Sequence, residues 1–249
     1  MYRLRYIPRE HDGDVKQIIG QKGDFTGDDV LRIVLEQPAT AQTVVGKLYR
    51  WLICETEEPD VMVIAPLVKS FAKDYDILKL VETMLRSNLF FSSAAYRQRI
   101  KCPVEFTLGI VKALEAVVST TQLGQDMAGL GQNLYHPPTV KGWTGGQHWL
   151  NSATLVRRHN LALALLRGSG PYAEKLNPWA VAQKHGCSTP ESAMELMIDL
   201  FIQGDLDLEV DDTLLKTVEA PAGTVSDDPG RMLRRFAHLV VTLPEFQLA

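Results

Sequence analysis

The chain has 249 residues, of which 45% are hydrophobic and 22% are charged, and its formal net charge is -4. These proportions are close to the average for globular proteins and argue against a disordered or fibrous chain. The basic residues are spread among acidic ones and the pI is about 5.9, so the composition also argues against a protein that binds nucleic acid.

Cysteine spacing and apolar run length exclude several further classes. The three cysteines lie far apart without a C-x-x-C pair, so neither a zinc site nor a disulfide framework is indicated, and we expect no metal and no cofactor. No apolar run is long enough to span a bilayer, and the first residues lack the apolar segment of a signal peptide. We therefore expect a soluble chain with no transmembrane segment, in a compartment that the sequence does not specify.

The N-terminal segment is predicted to be mostly irregular. "YRLRYIP" alternates large apolar and basic residues with period two, which predicts a short strand over residues 2–7. The stretch that follows, "HDGDVKQIIGQKGDFTGDD", is interrupted by glycine and aspartate and predicts a loop.

Helix signals dominate from residue 28 to about residue 85. Apolar residues recur there at helical spacing in four segments, each preceded by an N-cap residue or opened by proline. The predicted starts are Asp28 or Asp29, Pro38, Asp60 and Asp76.

The second half of the chain continues as helices. Pro103 opens one, residues 122–130 form a short one, and "HWLNSATLVRRHNLALALLRG" is a long one. Further starts are predicted at Asn177-Pro178, around Ser188 to Glu191, and at Asp228-Pro229, and the acidic stretch between about 205 and 228 predicts a surface helix and an exposed loop. The pattern predicts one all-α domain over residues 1–249, with about eight to ten helices.

Five segments in chain order carry a family resemblance. They are "HDGDVKQIIG", "GDDVLRIVLEQPATAQTVVGKLYRWLI", "LRSNLFFSSAAYRQRIKCPVEF", "GQNLYHPPTVKGWTGGQHWLNSATLVRRHN" and "LPEFQ". With them the chain resembles the bacterial family known as domain of unknown function 1800. The resemblance covers most of residues 1–167 and the final helix at 228–249, whereas residues 170–225 are expected to form a divergent helical insert.

The resemblance implies a largely helical protein and no defined reaction. Members are often exported in their full-length form and are often found with a sulfatase-like exported protein, which is the partner that the resemblance implies. Members are also typically longer, so the resemblance implies that the chain corresponds to their C-terminal half. Apolar surface that a missing half would cover drives association, and we therefore expect a homo-oligomer.

The stretch "PPTVKGWTGGQHWLNS" contains the best candidate binding site. Ligand contacts are predicted for Tyr135, His136, Trp143 and His148, because aromatic rings and imidazoles on a glycine-rich loop can form a platform for a sugar ring. The competing interpretation is that Trp143 and Trp149 pack at the joint between helices. The loop is expected to be ordered, with Trp149 largely buried and Trp143 at least partly accessible.

A second candidate site lies in "HDGDVK". His11 and Asp12 are the residue types of an acid–base pair, which makes them candidate catalytic residues. The competing interpretation is a turn in which Asp12 hydrogen-bonds its own backbone beside Gly13. Three functions therefore remain: a helical binding or scaffold module of the bacterial cell envelope acting with a partner protein, a hydrolase-like enzyme, or a carbohydrate-binding module with a site near residues 135–149.

Overall fold

The computed structural model of the chain describes residues 6–167, 170–204, 206 and 228–249. Helices account for most of these residues, which confirms the prediction of an all-α fold. The chain divides into two compact units, residues 1–94 and residues 95–249, named here the first and second unit. The expectation of a single domain over residues 1–249 stays a prediction.

Among its described residues, the first unit contains a hairpin followed by four α-helices. A 3-10 helix at Pro8–Glu10 precedes strands β1 (Lys16–Ile18) and β2 (Gln21–Gly23), which pair antiparallel. The helices are α1 (Gly27–Leu35), α2 (Pro38–Leu52), α3 (Val61–Phe71) and α4 (Ile77–Leu85).

The hairpin corrects the prediction of a loop after residue 10. Its two-residue turn, Ile19-Gly20, has positive φ at both positions, 47° and 82°, as a type I′ hairpin turn requires. Isoleucine rarely adopts positive φ, so the sequence lacks the usual Asn-Gly signal for this turn. The strand predicted over residues 2–7 is wrong at Tyr6 and Ile7, which are not in a strand and directly precede the 3-10 helix that begins at Pro8. Residues 2–5 lie outside the described part of the chain.

Aspartates and a threonine fix the helix starts of the first unit. The predicted caps at Asp60 and Asp76 are confirmed, since their carboxylates accept hydrogen bonds from Met62 N at 2.8 Å and Lys79 N at 3.1 Å. At α1 the prediction is wrong by two residues. Thr26 is the N-cap, and Asp29 completes a capping box by accepting from Thr26 N at 3.0 Å.

The second unit contains seven helices among its described residues. They are α5 (Pro103–Ala113), α6 (Thr120–Gly129), α7 (Ser152–Leu166), α8 (Pro178–Lys184), α9 (Pro190–Ile202), α10 (Pro229–Thr242) and α11 (Pro244–Gln247), with a 3-10 helix at Gly146–Trp149 before α7. The predicted proline starts of α5, α8, α9 and α10 are confirmed. Most of the acidic stretch predicted as a surface helix and loop, residues 207–227, lies outside the described residues.

Helix α10 lies at the centre of the second unit and packs against α7, α8 and α9. Its Leu233, Phe236 and Val240 are fully buried, and Phe246 of α11 joins the same core. Among the described residues, no helix combines the length and the apolar character needed to cross a bilayer.

The C-terminal residues pair with the segment before α5. Lys101 N donates to Gln247 O at 2.9 Å, and Ile100 and Leu248 form an antiparallel bridge. Arg158 of α7 is 1% exposed and reinforces this pairing, donating to Lys101 O at 2.6 Å and to Gln247 Oε1 at 3.0 Å. One buried guanidinium therefore connects α7 to both segments.

Candidate functional site

The loop between α6 and α7, residues 131–150, is ordered by a series of short-range hydrogen bonds. His136 N donates to Asn133 O at 3.0 Å and Gly142 N donates to Thr139 O at 3.0 Å. The 3-10 helix Gly146–Trp149 then leads into α7, where Thr154 Oγ1 donates to the carbonyl of Trp149 at 3.0 Å. The loop therefore has defined turns although it contains no long helix or strand.

The two tryptophans of this loop occupy different environments. Trp149 is 9% exposed and belongs to the buried apolar residues of the chain, whereas Trp143 is half-buried. Both observations confirm the predicted burial. Within the stretch predicted as a long helix, α7 begins at Ser152, because Asn151 caps it by accepting from Thr154 N at 2.9 Å. Residues Gly146–Trp149 before it form the 3-10 helix.

The other three candidate ligand contacts of the loop are exposed, and so is Val140. Tyr135 is 94% exposed and has a φ of +63°, and Val140 is fully exposed. His136 and His148 are exposed as well. Within the described part of the chain no ring contact joins Tyr135 to Trp143, so the sugar platform stays a prediction.

The loop carries no acidic residue. Between positions 131 and 150 the ionisable side chains other than Tyr135 are Lys141, His136 and His148. The chain as a whole has a net charge of -4. The loop is therefore a neutral to weakly basic surface on an acidic protein.

In the first unit, His11 pairs with Asp24 and not with the candidate partner Asp12. His11 Nε2 lies 2.9 Å from Asp24 Oδ1, and Lys16 Nζ lies 2.9 Å from the same oxygen. Hydrogen bonds from Lys16 and then His11 lower the pKa of the Asp24 carboxyl. The hairpin brings these groups together across 13 positions, a pairing that no local sequence pattern encodes.

Asp12 is in the backbone turn that was the competing interpretation. Its Oδ1 accepts from Asp14 N at 2.9 Å, and its carbonyl accepts from Lys16. No serine, threonine or cysteine among the described residues hydrogen-bonds to His11, and none of the described residues form a group of three or more possible metal ligands. The catalytic assignment of His11 and Asp12 stays a prediction, and these hydrogen bonds give it no support.

A third site, which the sequence did not indicate, is a cleft of about 300 Å³ between α6 and α7. Tyr172 is 1% exposed, and its hydroxyl donates to Asp126 Oδ2. Burial and this hydrogen bond raise the pKa of Tyr172 well above its usual value. Helical spacing places Gln122 with Asp126, and Arg157 with Asn160, on single helix faces, but nothing in the sequence shows that the two faces meet.

One comparison with known proteins identifies a family. A family model described as "Protein of unknown function (DUF1800)" matches residues 2–248. The match confirms the resemblance found in the sequence, and it also extends across residues 170–225, which were expected to diverge. No curated protein and no solved structure matches the chain.

Proposed function

The chain belongs to the DUF1800 family of proteins of unknown function, and we propose that it is a helical binding module of the bacterial cell envelope that binds a partner protein through the 131–150 loop. The observation that carries the proposal is that this loop has defined turns and yet exposes apolar side chains to solvent.

Tyr135 presents its ring to solvent at a backbone cost. A non-glycine residue at positive φ costs about 1–2 kcal/mol, and the ring is 94% exposed. Full burial of a large apolar side chain is worth about 1.5–3 kcal/mol, and because the Tyr135 ring is exposed in the free chain, this gain is available only in a complex. Val140 lies on the same loop and is fully exposed, so a partner would bury both side chains.

The charge of the loop indicates the chemistry of the partner. With Lys141 and two histidines and no carboxylate, the loop fits a surface that has apolar recesses and neutral or acidic residues around them. The sulfatase-like exported protein implied by the family resemblance is the partner that we propose. Homo-oligomerisation, which was also expected from the sequence, stays a prediction.

The test is to mix the purified chain with the sulfatase-like protein of the same bacterium and measure complex formation by calorimetry. The test variant carries two substitutions, Tyr135→Gly and Val140→Ser. Glycine tolerates positive φ, and position 140 is exposed in the free chain, so the free energy of unfolding should stay within about 1 kcal/mol of the wild-type value. We expect this variant to bind at least about tenfold more weakly, since the apolar burial that it removes from the complex is worth about 1.4 kcal/mol or more.

Gln183→Ala is the matched control, because Gln183 is exposed on α8 and away from the loop in sequence. It should bind as the wild type does. If no complex forms, or if the loop variant binds as tightly as Gln183→Ala, the proposal is wrong.

A further inference from the structure

The cleft between α6 and α7 is lined by side chains from two helices and by residues 171–172, all within the second unit. Its polar residues are Gln122, Gln125, Asp126, Arg157, Asn160 and Tyr172. Its apolar residues include Leu130, Leu161 and Ala164. A concave site of this size with several convergent polar groups on an apolar base has the general form of a small-molecule pocket.

Asp126 is held in one orientation at the inner end of the cleft. The buried hydroxyl of Tyr172 donates to its Oδ2, and Gln122 Nε2 lies 3.4 Å and 3.3 Å from the two carboxylate oxygens. Each oxygen has further acceptor capacity, since an ionised carboxylate has about four lone-pair sites. Asp126 is therefore a pre-positioned acceptor for hydroxyl donors.

The outer part of the cleft supplies both donors and acceptors. Arg157 is oriented by donating to the carbonyl of Gly129 through one terminal nitrogen, which leaves its other N–H groups for a ligand. Among the described residues, the side-chain amides of Gln125 and Asn160 have no hydrogen-bond partner. Each amide can donate and accept at once, which matches the dual character of a hydroxyl group.

The two charged side chains of the lining balance each other. Asp126 contributes one negative charge and Arg157 one positive charge, and no other ionisable side chain of the cleft is charged near neutral pH. A singly charged anion or cation is therefore attracted by one of these groups and repelled by the other, so the cleft offers neither of them a net electrostatic gain. An uncharged ligand with several hydroxyl groups can hydrogen-bond to both side chains, and it loses less hydration free energy on entering the cleft than an ion does.

We propose that this cleft binds an uncharged polyhydroxylated ligand of the size of one sugar ring. Asp126 accepts from ring hydroxyls, Arg157 donates to hydroxyl oxygens, and the amides of Gln125 and Asn160 do both. No residue of the 131–150 loop lines this cleft, so the sugar-binding proposal is tested independently of the proposed partner binding.

The experiment is a titration of the full chain with D-glucose, D-galactose, D-mannose and N-acetyl-D-glucosamine, followed by protein NMR. We expect saturable shifts for at least one of the four, with a dissociation constant of about 1 mM, typical of a few hydrogen bonds to a small ligand. Asn160→Ala should weaken that binding by about fivefold, because each ligand hydrogen bond lost costs roughly a factor of 2–10. Since the Asn160 amide makes no hydrogen bond to the described residues, this variant should fold normally.

Two further variants make the result specific. Asp126→Asn removes the charge and should abolish detectable binding, and its fold is checked by circular dichroism. Gln183→Ala, an exposed amide on α8, should leave binding unchanged. The proposal is overturned if none of the four sugars gives saturable shifts, if Asn160→Ala binds as the wild type does, or if glucose 6-phosphate binds more tightly than glucose.

Discussion

At the residue scale, the two tryptophans of the 131–150 loop separate a structural role from a surface role. Trp149 is 9% exposed, so Trp149→Ala removes a buried ring and should lower the free energy of unfolding by about 3–5 kcal/mol. Trp143 is half-buried, and Trp143→Ala should cost clearly less, about 1 kcal/mol. Urea unfolding of both variants measures the difference. Equal and large losses would show that the whole loop is a packing joint without a surface role.

Lys101 is a second residue whose environment makes a measurable prediction. Burial is the main reason why the pKa of Lys101 is lowered from 10.5 to about 8. The nearby carboxylate of Glu105 raises this pKa, and the guanidinium groups of Arg97, Arg99 and Arg158 lower it further. The unfolded chain therefore binds more protons than the folded one between about pH 8 and pH 10.5, so this lysine makes stability rise with pH in that window.

The variant Lys101→Met tests the cost of this charge. Below about pH 8 the lysine is charged in both states and its full burial cost is present, so we expect the variant to be more stable than the wild type by about 2 kcal/mol near neutral pH. That advantage should shrink as the pH approaches 10, because the wild-type lysine then loses its proton in the folded state. Chemical unfolding of both proteins across this range gives the comparison, and a constant difference at every pH would contradict the assigned cause.

At the element scale, the sequence predicted the helices that begin with local signals and missed the features that depend on residues far apart in the chain. Asp60 and Asp76 cap within three residues of their own position, so their roles are readable from the sequence. The pair of His11 and Asp24 needs the hairpin, whose turn has isoleucine where asparagine is usual. The α6–α7 cleft likewise could not be predicted from local sequence patterns, because Asp126 and Tyr172 are 46 positions apart in the chain.

Arg158 shows how one side chain joins three elements of the second unit. It is buried and donates to Lys101 O and Gln247 Oε1, and it lies 5.0 Å from the ring of Phe106. Arg158→Ala leaves a cavity, and it takes one hydrogen-bond donor from the part-buried Lys101 O and one from the buried Gln247 Oε1. We therefore expect it to cost about 3 kcal/mol or more. Arg157→Ala removes an exposed neighbour and should cost less than about 1 kcal/mol, which makes it the control in thermal unfolding. Similar losses in both variants would mean that Arg158 does not hold the C-terminal segment.

Filling the space without the hydrogen bonds separates the two contributions of Arg158. Methionine has a comparable length and no charge, so Arg158→Met avoids the burial cost that lowers the arginine pKa to about 10. We expect Arg158→Met to be intermediate in stability between the wild type and Arg158→Ala. The backbone amide of Ala249 donates to Arg99 O at 2.7 Å. Its hydrogen exchange should be faster in both variants, because the C-terminal residues then lack the hydrogen bonds of Arg158.

At the scale of the whole molecule, buried apolar residues are unevenly divided between the two units. Ten described residues of the first unit are buried hydrophobics, whereas twenty-seven are in the second unit, including the fully buried Phe236 and Val240 of α10. Apolar burial is the main favourable term in folding, so a unit with a smaller core opens at a lower free energy. The first unit also leaves large apolar side chains in solvent, among them Met62 at 81% and Leu78 at 78% exposed.

This division predicts unequal protection within one chain. In hydrogen exchange followed by mass spectrometry, backbone amides of α1 to α4 should exchange faster than those of α9 and α10, because local opening of the first unit exposes less apolar surface. The control is the variant Phe236→Ala, which should accelerate exchange in α9 and α10 by removing a buried ring from their core, at a cost of about 3–5 kcal/mol. The opposite result would be equal protection of α1 to α4 and of α10 in the wild type, with an equal response of both to Phe236→Ala. The chain would then unfold as one cooperative unit, and the single domain predicted from the sequence would be the better description.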